Sequence, residues 1–202
     1  MPDGPAPPEV DLFTRYVLEN PYPLMILLLA GAAGAAWMGL RDGRRGPLKI
    51  SLVCAAAGMA VLLTGLSVTT SAEHGKAVTR AFVEAVVDND VAGAMNLVSA
   101  DGSVAVGSPQ NPGRSVDFFR DRLTALNLRY PIERNRITSL KGYSESATRA
   151  EIHLACSTAA GGYGDTPSRW VLHVEREGDG EWRIVKITAI SIAMRRPDDR
   201  LW

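Results

Sequence analysis

Glu151 and His153 stand two residues apart in one alternating run, and His173 and Glu175 stand two apart in the next. Side chains two apart in a strand share a face. The Gly161-Gly-Tyr-Gly164 turn between the runs centres a hairpin near 162 or 163, so His153 falls opposite or nearly opposite His173. Glu151 and Glu175 then lie beside the two imidazoles. Two imidazoles and a carboxylate within cross-strand reach have the donor chemistry of a zinc site. The competing account is a polar, solvated strand face with a soft register. It is the favoured one, because a metal site also needs outer partners that orient each ligand. His153, His173, Glu151 and Glu175 therefore stand as metal candidates only, and no metal, cofactor or catalytic residue is assigned.

Other chemistries find less. There is no Ser-His-Asp order, no phosphate-cradling glycine loop and no dense Cys/His cluster. Two cysteines are present, Cys54 in an apolar run and Cys156 far downstream; both read as small buried apolar residues rather than a disulfide. Tyr163 reads as a hairpin tip. The chain has 22 basic and 22 acidic residues, and residues 1–72 take five of each, so residues 73–202 are also balanced. A neutral domain lacks the basic face that nucleic acid requires.

The first half of the chain positions everything else. Asn20 to Leu40 and Ile50 to Ala72 are uncharged runs of 21 and 23 residues. At a rise of about 1.5 Å per residue, either can cross a hydrocarbon core roughly 30 Å thick. Between them lies the link 41–49, with Arg41, Arg44, Arg45 and Lys49 against Asp42. Cytoplasmic loops are enriched in Lys and Arg, so the expectation is a membrane hairpin over 22–72 with its turn inside and residues 73–202 outside. Residues 1–21, with Pro2, Pro5, Pro7 and Pro8, read as a flexible tail in which Val10 to Leu18 forms a short interfacial helix. Ala30 with Gly34, Gly31 with Ala35, Ser51 with Ala55 and Cys54 with Gly58 are four apart and offer close helix packing. Thr70-Ser71-Ala72 has the small residues of a signal-peptidase site, but a 23-residue run exceeds a signal core, and anchoring is preferred.

From residue 73 the pattern changes. Val78, Phe82, Ala85 and Val86 mark one face of a helix over 74–87. Asp90 caps a second helix over 91–99, Ser103 to Val106 forms a short strand, and Ser115 caps a third helix with Phe119, Leu123 and Leu126 on one face. Four strands follow, at about 132–142, 146–158, 168–177 and 181–193, separated by glycine-bearing turns. Alternation in Ile152, Leu154 and Cys156, and in Trp170, Leu172 and Val174, predicts an antiparallel sheet with helices on one side.

The order helix, helix, short strand, helix, four long strands resembles the nuclear-transport-factor-2-like family, which includes ketosteroid isomerases and scytalone dehydratases. Phe82-Val-Glu-Ala-Val-Val-Asp-Asn-Asp90, with Ala94 and Leu97 after it, looks like the family's two opening helices meeting at an acidic turn. Asp179-Gly-Glu-Trp-Arg-Ile184 looks like the start of its last strand, with Trp182 and Ile184 entering the core. The resemblance covers about 73–193 and implies an α+β domain: a curved antiparallel sheet wrapped on three helices as a cone. It implies no reaction. The isomerases keep a base near the position of Asp101, but an Asp before Gly is more often a turn residue, and the isomerase set is not carried over.

Two functions follow as expectations. The first, and preferred, is a non-catalytic assembly module tethered in a bacterial cell membrane, self-associating as a homodimer or binding another envelope protein; domains of the resembled family do serve on membrane anchors in such assemblies. If Trp182 and Ile184 face the helices, then Val185, Ile187 and Ala189 point to the other face, where Val171 joins them in an apolar strip rimmed by Arg169, His173 and Glu175. That is the anatomy of a protein contact. The second is a small-molecule site inside the cone.

Overall fold

The computed structural model describes residues 20–67 and 69–197, and the chain divides into two compact units between Thr70 and Ser71. Val10 to Leu18 and the last residues, 198–202, lie outside the described residues.

The first unit is a helical hairpin, α1 (Tyr22–Asp42) and α2 (Arg45–Ser67). Both helices are long and apolar enough to cross a membrane. Pro23 sits in the first turn of α1, where a missing N–H breaks no helical bond, and Gly43 ends it at φ 64°, in the left-handed region. Only Gly43 and Arg44 separate the helices, so most of the expected link 41–49 is helical. Arg41 lies in the last turn of α1, where the helix dipole favours a cation. The seam matches the expected one only in part. Ala32, Ala35 and Gly39 are buried, whereas Ala30, Gly31 and Gly34 are exposed. Gly39 allows a close approach of α2: a Cβ there would stand 2.7 Å from Leu48 Cγ. Gly58 of α2 does face α1, with room for a Cβ 3.4 Å from Leu28 Cβ.

The second unit contains α3 (Ser71–Val87), α4 (Val91–Asn96), β1 (Val98–Val106), β2 (Arg114–Ser115), α5 (Val116–Arg129), β3 (Ile132–Ser146), β4 (Arg149–Ala160), β5 (Tyr163–Arg176) and β6 (Trp182–Ile192). The caps are those read from the sequence. Asp90 accepts from Gly93 N–H at 2.8 Å, and Ser115 accepts from Phe118 N–H at 3.5 Å. The sheet runs β2-β1-β6-β5-β4-β3, antiparallel except for the parallel pair β1–β6. That pair shortens α4 and lengthens β1 relative to expectation, because the chain leaves the helix early enough for Leu97 C=O to accept from Ile184 N–H at 2.9 Å.

Helices cover one face of the sheet. Phe82 of α3 and Phe119 and Leu123 of α5 pack on Ile152, Leu172 and Ile184 of the strands. Trp182 is half-buried at the edge of this core, stacked on His74 of α3 with ring centroids 5.0 Å apart. The start of α3 is tied to the end of β3: Ser71 Oγ donates to Ser146 C=O at 2.7 Å, and Ala72 N–H donates to Ser144 Oγ at 3.1 Å. Ser71 and Ala72, small residues that also suit a signal-peptidase site, are therefore buried structural contacts.

Two irregularities in β6 reset its faces. His173 pairs with Lys186 and Val174 with Ile184, which leaves Val185 as an extra residue; Arg169 pairs with Ser191 and Trp170 with Ala189, which leaves Ile190 extra. Each bulge flips the alternation once.

Candidate functional site

Inside the cone, between helices and sheet, is a cavity of about 580 Å³. α3 contributes Phe82, Val83, Val86 and Val87. α5 contributes Phe119, Leu123, Leu126 and Asn127, the i, i+4, i+7, i+8 face that its 3.6-residue period turns inward. From the strands come Leu154, Cys156 and Thr158 of β4, Ser168, Trp170 and Leu172 of β5, and Ile187 and Ile192 of β6. Most of this wall is apolar.

The polar groups on it are few and mostly paired. Thr158 Oγ1 donates to Asn135 Oδ1 at 2.7 Å, and Trp170 Nε1–H donates to Ser168 Oγ at 2.9 Å. Tyr130 and Tyr163 meet edge to face, centroids 6.0 Å apart. Asn127 differs: the residue is buried, and its Nδ2 has no hydrogen-bond partner among the described residues. A buried amide left unmatched costs free energy, and this nitrogen is enclosed by protein rather than open to the cavity. Burial pushes the Cys156 thiol up from its ordinary value, a shift that Asn135 partly opposes, so it meets the cavity as a neutral group. The titratable residues of the lining are Cys156, Tyr130 and Tyr163. Asp101 is exposed on β1 and is not among the lining residues.

On the opposite face of the sheet the metal candidates take a different arrangement from the one expected. His153 pairs with Val171, and Glu151 pairs with His173, so the two imidazoles are diagonal neighbours. Glu151 lies between them: its Oε1 is 2.6 Å from His153 Nε2, and its Oε2 is 3.8 Å from His173 Nδ1. Glu175 is not part of the group; it pairs with Arg149 at 2.8 Å. Glu145 replaces it, with ligand atoms of Glu145, Glu151 and His173 all within 4.8 Å of one another. Tyr143 lies edge-on to His153, centroids 5.0 Å apart. Burial pushes the His173 imidazole down, and the Glu151 and Glu145 carboxylates pull it back up. Glu145 and Tyr143 fall in the gap between the expected strands at 132–142 and 146–158, whereas β3 continues to Ser146 and pairs Tyr143 with Glu151.

The apolar strip of Val171, Val185, Ile187 and Ala189 does not form. Ile187 is 3% exposed and lines the cavity, and Ala189 shares the cavity side with its partner Trp170. Val185 is half-buried in its bulge, and Val171 is on the other face but only 2% exposed. The expectation assumed strict alternation along β6, which the two bulges break.

No family model matches the chain, and no curated protein matches it. Solved structures do. A nuclear-transport-factor-2-like protein of unknown function from Pseudomonas putida is 14% identical, with TM-score 0.52, over 64% of this chain and 94% of that one. A nuclear-transport-factor-2-like protein from Cytophaga hutchinsonii is 12% identical, with TM-score 0.49, over 61% and 99%. A protein with a cystatin-like fold from Caulobacter vibrioides is 15% identical, with TM-score 0.48, over 64% and 92%. At these identities the likeness speaks to the fold and leaves the chemistry to the site. The unit from Ser71 onward is thus a domain of nuclear-transport-factor-2-like fold, with two long apolar helices before it.

Proposed function

We propose that the second unit is a binding domain that holds an uncharged, mostly apolar small molecule in its cone, carried outside a cytoplasmic membrane by the α1–α2 hairpin. The observation that carries the reading is the cavity: about 580 Å³ of mainly apolar space enclosed by α3, α5 and the strands. That volume lies in the range of small-molecule sites, which combine apolar walls with a few placed polar groups. The membrane part rests on two apolar helices with Arg41, Arg44 and Arg45 clustered at their junction. Assembly through the sheet draws no support from buried Val171, Ile187 and Ala189.

Prodan, an uncharged aromatic ketone, tests the cavity in the full chain purified in detergent. Energy transfer from Trp170, a wall residue, reports occupancy, with Trp170→Phe as the blank. Saturable transfer at one probe per chain is expected, and Thr158→Phe, which fills the cavity, is expected to remove it. Transfer that never saturates, or that persists unchanged in Thr158→Phe, overturns the reading.

A further inference from the structure

We propose that Glu145, Glu151 and His173 form a binding site for a divalent transition-metal ion of the zinc class, on the sheet face opposite the cavity. The spacing is the first argument. Bonds of about 2.1 Å in a tetrahedral shell set neighbouring ligand atoms about 3.4 Å apart. His173 Nδ1 and Glu151 Oε2 are 3.8 Å apart, too long for a hydrogen bond and close to that edge length. All three ligand atoms lie within 4.8 Å of one another, a gap that small side-chain rotations close.

The second argument is an orphan. His173 Nδ1 is buried and has no hydrogen-bond partner among the described residues, while the carboxylate that faces it stands just out of reach. A cation between them would satisfy both.

The third is the outer support that the sequence alone did not reveal. His153 Nε2–H donates to the other oxygen of Glu151, at 2.6 Å, and Tyr143 packs edge-on against His153. Oriented ligands of this kind bind metal more tightly. The neighbouring cations are engaged elsewhere: Lys186 Nζ donates to Asn111 C=O at 2.6 Å, and Arg149 is held by Glu175 at 2.8 Å. One nitrogen and two carboxylates suit a zinc-class ion better than magnesium, which prefers oxygen ligands and retained waters. Three protein ligands leave one position of a tetrahedron for water.

Calorimetry of the full chain in detergent, stripped with EDTA and titrated with zinc chloride, tests the site. One ion per chain is expected. Glu151→Gln and His173→Ala should each weaken binding at least a hundredfold, His153→Ala about ten- to a hundredfold, and Glu175→Gln not at all. Glu145 is exposed, so Glu145→Gln leaves the fold intact and should weaken binding as well. Absence of a saturable one-to-one heat overturns the proposal, as does binding that survives Glu145→Gln and His173→Ala unchanged. Retained prodan binding shows that each variant is folded.

Discussion

At the residue scale, Ile187 carries the sharpest consequence of the β6 bulges. Its side chain is 3% exposed, packed in the core cluster and against the cavity. A carboxylate placed there has no partner and must be desolvated or force the wall open. Ile187→Asp is therefore expected to destabilise the second unit by about 4 kcal/mol, read as a lowered melting midpoint of the full chain together with loss of prodan binding. An interface position would behave differently, giving a folded protein of lower oligomeric state. Sedimentation of the variant separates the two, and a folded, stable Ile187→Asp would return this residue to the surface.

At the element scale, α3 rests on the sheet at unusually short range, and two glycines permit it. A Cβ on Gly142 of β3 would stand 2.9 Å from Ala72 C=O, which is backbone and has nowhere to go. On Gly75 of α3 the nearest atom would be Ile152 Cδ1 at 2.7 Å, the tip of a buried side chain rather than backbone. Gly142→Ala is thus expected to cost about 2 kcal/mol, and Gly75→Ala less. Parallel thermal melts of the two variants check the order. If the Gly142 variant melts like the parent, α3 does not sit on β3 as described.

At the scale of the whole molecule, the proposed membrane hairpin would set the compartment in which the second unit works. With the basic turn in the cytoplasm, that unit is expected to face outward. Ala147, exposed in the β3–β4 turn, offers a reporter position. A membrane-impermeant maleimide should label Ala147→Cys in intact cells well above the parent, whose Cys156 is buried. Labelling that appears only after the membrane is opened would reverse the topology and move the cavity into the cytoplasm.

Much of this architecture is written in local pattern. Runs of 21 and 23 uncharged residues specify two apolar helices because length and hydropathy need no tertiary partner to act. The caps at Asp90 and Ser115, and the inward faces of α3 and α5, follow from side chains bonding or burying within a few residues of their own backbone. The element order carried the family resemblance, and the resemblance implied a cone. What the tertiary structure alone decided is register. The bulges at Val185 and Ile190 are set by how β6 fits β5, and each one turns every later side chain to the other face. The same dependence put Glu145 rather than Glu175 beside His173, since a strand's length and pairing partner are properties of the sheet and not of its own sequence. Asn127 lay on the apolar face of α5 in plain view, yet its unmatched amide became visible only when α3, α5 and the sheet closed around it.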